Sequence, residues 1–215
     1  MKRIAIVDDH PMAREGIIRW IDTESDLEVC GEADSASTGL DLVLKQNPDI
    51  VLTDISLPGK SGLELIKDLR AIQPNLLILV ISMHDETIYA QRALRAGARG
   101  YIMKHEGGCQ IMAAIRTVLS GRVYLSERMA EQILDGFCGP VHMERSGVDS
   151  LSDREFEVFQ LLGKGLSSIE IADKLHLSPK TVDCHRMNIK KKLSAKKSSE
   201  LVALAANWVS ANSGS

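Results

Sequence analysis

The chain has 215 residues, of which 44% are apolar and 26% charged, and its formal net charge is −3. That length holds one large domain or two modest ones, and the composition excludes a disordered chain. No apolar run approaches the ~20 residues of a membrane span, and Asp8 and Asp9 interrupt the first apolar run too early for a secretory signal, so a cytoplasmic protein with no membrane contact is expected.

The first 120 residues alternate between short apolar, β-branched runs and segments of helical spacing. Strands are predicted at Arg3–Val7, Leu27–Gly31, Asp49–Thr53, Leu76–Ile81 and Arg99–Met103. Between and after them the pattern predicts helices at Pro11–Ile21, Ser35–Lys45, Ser61–Ala71, Thr87–Ala96 and Cys109–Ser120. Ser61 and Glu64 are spaced as a capping box, and Gly97 suits a left-handed helix end. Five strands alternating with five helices specify an α/β fold with a doubly wound, five-stranded parallel sheet. The rhythm stops at Gly121. A linker with one helix, Ser126–Phe137, is expected over 122–147. The rest, 148–215, reads as a small all-α domain with helices at Ser152–Leu162, Ser168–Leu175, Ser178–Leu193 and Ser198–Val209. The second and third of these are joined as a helix–turn–helix.

Charge is divided unevenly. Residues 1–140 hold 15 Lys and Arg against 20 Asp and Glu, a net of −5, whereas 141–215 hold 11 against 9, a net of +2. The two parts should therefore meet different partners. The four cysteines are widely spaced and form no Cys-x-x-Cys pair, which points to free thiols in a reducing compartment.

Asp8, Asp9, Asp54 and Lys104 each follow a predicted strand. In a parallel sheet all strand C-termini lie on one edge, so these residues should share a pocket. Three carboxylates repel, and a divalent cation together with a lysine balances them. Asp54 is the natural nucleophile toward phosphorus, forming an acyl phosphate, and Ser82 can donate its hydroxyl to a phosphoryl oxygen. A metal-dependent phosphatase with an aspartyl nucleophile also fits these residues, although Ser56 stands where such enzymes want a second acid. Ser56 and His84 are candidates to flank an incoming water; otherwise His84 is a solvated loop residue.

Asp8-Asp9, Asp54-Ile-Ser-Leu-Pro-Gly-Lys-Ser-Gly62, Ser82 and Tyr101-Ile-Met-Lys104 together resemble the receiver domain of two-component response regulators, over residues 1–121. The resemblance implies that Asp54 is the phosphoacceptor, fed by a sensor histidine kinase. It implies that Asp9, Asp54 and the carbonyl of Ser56 bind Mg2+ directly, with Asp8 acting through water. It also makes Ser82 and Tyr101 switch residues and Lys104 the partner of the phosphoryl charge.

The helix starting at Ser178 should turn Val182, His185, Ile189 and Leu193 inward. Asp183, Cys184 and Met187 would then meet base edges, and Lys180, Thr181 and Lys191 phosphates. Lys190, Lys192, Lys196 and Lys197 add a sequence-blind attraction. Leu151-Ser-Asp-Arg-Glu-Phe-Glu-Val158, Gly165-Leu-Ser-Ser-Ile-Glu-Ile-Ala172, Ser178-Pro-Lys-Thr-Val-Asp-Cys-His185 and Ile189-Lys-Lys-Lys-Leu193 resemble the LuxR-type DNA-binding domain. Two departures stand out. Asp183 occupies a position often held by Lys, and Ser194 one often held by Gly. Together the two resemblances imply a non-enzymatic transcriptional regulator of the NarL/FixJ class that binds double-stranded promoter DNA. The apolar final helix is the expected contact of a homodimer on paired half-sites.

Overall fold

The computed structural model describes residues 1–138 and 147–212, without the side chains of 135–138 and 149. Contacts divide the chain into two units, Met1–Gly139 and Pro140–Ser215.

The first unit alternates β1 (Lys2–Val7), α1 (Pro11–Ile21), β2 (Leu27–Ala33), α2 (Ala36–Gln46), β3 (Ile50–Thr53), α3 (Gly62–Ile72), β4 (Leu77–Ser82), α4 (Glu86–Ala96), β5 (Gly100–Met103) and α5 (Gly108–Leu119). The strands form one parallel sheet in the order β2-β1-β3-β4-β5. Alternation along each strand explains why both faces are apolar. Ile4, Ile6, Ile50, Leu52, Leu79, Ile81 and Ile102 point into a cluster closed by Ile17 and Ile21 of α1 and Ile111, Ile115 and Val118 of α5. The intervening residues, among them Ala5, Val51, Ile78, Val80 and Tyr101, are equally buried. At full burial each such side chain contributes about 1.5–3 kcal/mol.

Helix ends follow local chemistry. Ser61 and Glu64 form the expected capping box at α3. Gly97 ends α4 with φ +115°, a conformation open to residues without a Cβ. Gly62 lets the start of α3 lie against the loop after β3: a Cβ there would sit 1.8 Å from the Asp54 carbonyl oxygen.

Strand β2 runs two residues beyond the predicted Gly31. It pairs with β1 across a register shift between Ile4 and Ala5, and a bulge of this kind lets an edge strand continue through polar Glu32. The chain after α5 returns to the sheet: Tyr124 N donates to the Arg99 carbonyl and Tyr124 O accepts from Tyr101 N, both at 3.0 Å. Ser126 then bonds Glu86 of α4, and α6 (Glu127–Cys138) packs on α4 with Met129 2% exposed. The segment expected as a connection is thus seated on the first unit through α6.

The second unit contains α7 (Asp153–Gly163), α8 (Ser168–Lys174), α9 (Pro179–Lys192) and α10 (Ser198–Asn212). Helix α7 packs on α10 and α9, and α8 on α9. Trp208 of α10 meets Phe156 and Phe159 edge-on, with centroids 5.2 and 6.1 Å apart. Core packing therefore accounts for Leu201, Ala205 and Trp208 of the apolar final helix, while Leu204 stays 40% exposed. No helix among the described residues is long and apolar enough to cross a membrane.

Candidate functional site: an acidic pocket and a basic helix

Register brings the strand ends together. Val7 pairs with Thr53, Thr53 with Val80, and Ser82 with Met103, so the residues that follow crowd one edge. Asp54, 3% exposed, is bonded on both carboxylate oxygens. Oδ1 accepts from the Ile55 amide and from the Ser82 hydroxyl, each at 2.6 Å. Oδ2 accepts from Lys104 Nζ at 2.7 Å, and the same ammonium lies 2.6 Å from Asp8 Oδ2. Asp8 Oδ1 accepts from the His10 amide at 3.0 Å.

The electrostatics follow from burial and crowding. Burial raises the Asp8 carboxyl above its ordinary value, and Lys104 pulls it back only in part. Burial acts to lower the Lys104 ammonium, but Asp54 and Asp8 outweigh it and hold the group above the usual lysine range. Burial also pushes the Tyr101 phenol well up. It keeps its proton and donates to the His84 carbonyl at 2.8 Å. Tyr101 is fully buried and Ser82 already touches Asp54.

Asp8, Asp9, His10 and Asp54 each offer a ligand atom, and these atoms lie within 4.8 Å of one another. Asp9 Oδ1 is shielded from solvent and accepts no hydrogen bond among the described residues; His10 Nδ1 is 2.7 Å away as an ion-pair contact only. A shielded carboxylate oxygen that accepts no hydrogen bond, beside two more carboxylates, fits a hard divalent cation. Ser56, in the loop after Asp54, has its hydroxyl 2.7 Å from His84 Nε2. The His84 ring in turn rests on Tyr89, with centroids 4.6 Å apart. His84 is thus a half-buried structural contact, where a solvated loop residue is the simpler expectation from sequence.

In the second unit Ser178 caps α9 by accepting from the Thr181 amide at 3.1 Å, and Pro179 follows it. His176 makes the preceding turn with φ 52°. Val182 and Ile189 are fully buried, and His185 and Leu193 half-buried, so the inward face is as expected. Lys180, Cys184, Met187 and Lys191 form an exposed stripe, while Thr181 is half-buried. Lys192 is engaged with Glu155 at 2.7 Å and the Ser150 carbonyl at 3.1 Å, which removes it from the free cations of this helix. Asp183 accepts from Ser168 at 2.8 Å, and Ser168 accepts from Arg186 at 2.5 Å.

Residues 4–116 match the family described as response regulator receiver domain, and residues 149–205 match the bacterial regulatory proteins of the luxR family. The chain belongs to the NarL/FixJ class of two-component response regulators. It is a DNA-binding regulator, with a receiver followed by a LuxR-type domain, and its family is not one of enzymes. This regulator is 37% identical to the response regulator GacA of Pseudomonas aeruginosa over 206 residues, 95% of each chain. It is 34% identical to the oxygen regulatory protein NreC of Staphylococcus carnosus over 208 residues, 94% of this chain and 96% of that one. Among solved structures it resembles RcsB of Salmonella enterica serovar Typhimurium bound to the promoter P1flhDC in the presence of phosphomimetic BeF3−, with TM-score 0.64, 25% identity and 96% and 98% of the chains covered. A LuxR-family response regulator from Aurantimonas matches at TM-score 0.59 and 35% identity over 64% of this regulator and 98% of that chain.

Two groups in the regulator's two units carry no sequence signal of their own: the Ser126–Glu86 tie and the Ser168–Asp183–Arg186 network. Each joins elements that periodicity treats separately.

Proposed function

We propose that the regulator is switched by transfer of a phosphoryl group from a sensor histidine kinase to Asp54, and that the phosphorylated chain binds double-stranded promoter DNA as a homodimer in the cytoplasm. The observation that carries this is the convergence of Asp8, Asp54, Ser82 and Lys104 within hydrogen-bond distance at one sheet edge. One carboxylate oxygen of Asp54 forms the new bond to phosphorus as the P–N bond to the kinase's phosphohistidine breaks, and the imidazole leaves. Lys104, now shared between Asp8 and Asp54, faces the added negative charge, and the Ser82 hydroxyl turns from Asp54 to a phosphoryl oxygen. Tyr101 is the switch aromatic. Its hydroxyl is anchored on the His84 carbonyl, so a movement of the Ser82–His84 loop reaches β5 directly.

Asp9, Asp54 and the carbonyl of Ser56 would hold Mg2+, with Asp8 acting through water. When bound, the ion spreads the phosphoryl charge during transfer. On the output side, Lys180, Thr181 and Lys191 meet phosphates, Cys184 and Met187 meet base edges, and Asp183 belongs to the same surface. Exposed Leu204 leaves α10 a face for a second copy.

The test is selection of duplexes from a random pool by the full chain, with and without an acyl-phosphate donor and Mg2+. A paired half-site recovered far more strongly with donor is the expected result. Recovery of no sequence, or the same recovery in both arms, contradicts the proposal.

A further inference from the structure

We propose that Asp183 reads no base and is instead a positioning residue, which with Ser168 and Arg186 fixes the angle between α8 and α9. The proposal rests on the DNA-binding role argued above and concerns how that surface is held. Helix α8 is short and buries only Ile171 and Ala172, while Ile169 beside Ser168 is 71% exposed. Packing alone therefore restrains the start of α8 weakly. The Ser168 hydroxyl supplies the missing restraint. Its one proton goes to Asp183 Oδ1 at 2.8 Å, and a lone pair receives Arg186 Nη1 at 2.5 Å. Asp183 and Arg186 stand three residues apart, so both lie on the flank of α9 that faces α8.

Asp183 is exposed like the outward stripe, and its bond to Ser168 is what sets it apart. Lys180, Cys184, Met187 and Lys191 follow i, i+4, i+7, i+11 on α9 and are all exposed. Asp183 and Arg186 border a groove of about 290 Å3 between α9 and α10, which Met187, Lys190, Ser198 and Leu201 also line. A carboxylate aimed at DNA would meet a wall of phosphates. Here it is tied, through one hydroxyl, to a guanidinium. Base preference then falls to Cys184 and Met187, and the Asp183 side chain contributes affinity only by holding the two helices in register.

Duplex selection and affinity measurement with the full chain and donor distinguish these roles. The variants are Asp183→Ala, Ser168→Ala, their double, and Asp183→Asn, whose amide oxygen still accepts from Ser168. Both sites lie at the surface, so the core is untouched, and circular-dichroism melting checks this. Asp183→Ala and Ser168→Ala should each weaken binding to the selected site roughly three- to tenfold, the loss of one charge-assisted hydrogen bond. The double should be no weaker than either single, since both remove one network. Asp183→Asn should stay within about twofold of wild type, and every variant should select the wild-type bases. Relaxed preference at one base pair in Asp183→Ala but not in Ser168→Ala overturns the proposal, as do additive losses in the double. A wild-type chain that selects no duplex removes the DNA-binding role and the proposal with it.

Discussion

Ser56 Oγ and His84 Nε2 lie 2.7 Å apart, joining the loop after β3 to the loop after β4. Ser56 stands two positions beyond Asp54 and His84 two beyond Ser82, which bond each other, and the His84 ring is steadied by Tyr89. With Asp54 phosphorylated as proposed, such a bridge would narrow the approach of water to the acyl phosphate. Ser56→Ala and His84→Ala should each speed loss of phosphate from Asp54 by roughly fivefold, the equivalent of one hydrogen bond in a barrier. The double should match the singles. Decay of the phosphorylated chain on phosphate-affinity gels measures this, and rates equal to wild type in all three variants would remove the gating role.

Lys104 balances two buried carboxylates, and its own side chain is 9% exposed. Lys104→Met should therefore cost about 3 kcal/mol of receiver stability in metal-free buffer, the usual penalty for leaving a buried charge unpaired. Mg2+ should recover part of that loss, raising the melting temperature of the variant more than that of wild type. Thermal melting with and without Mg2+ reads both effects. A variant as stable as wild type without metal would show that the pocket does not need the cation.

The parallel sheet explains why the acidic pocket was legible in sequence: apolar runs mark strands, and strand ends must converge. Asp8, Asp54, Ser82 and Lys104 therefore announced themselves as neighbours from residues up to about a hundred positions apart. The edge strand β2 was cut short because a bulge and polar Glu32 break the apolar pattern. The ties of Tyr124, Ser126 and Asp183 leave no mark in the sequence for a common reason. Their partners Arg99, Glu86 and Ser168 lie on other elements, and a single side-chain bond leaves no period to detect.

Ser194 offers a direct check on the second unit. It follows α9 with φ 55°, the left-handed region that costs an ordinary residue about 1–2 kcal/mol. Ser194→Gly should stabilise the unit by about 0.5–1 kcal/mol, the strain relieved less the added entropy of glycine. Urea unfolding measures it, and a destabilised variant would mean that the Ser194 side chain makes a compensating contact in solution.

Under the proposed function, Asp54 controls the basic helix. The most direct test is the affinity of wild type and Asp54→Asn for the selected duplex, each with and without acyl-phosphate donor and Mg2+. Wild type should gain about five- to a hundredfold with donor, a typical coupling between two sites, and Asp54→Asn should gain nothing. An equal gain in Asp54→Asn, or none in wild type, would contradict control through this aspartate.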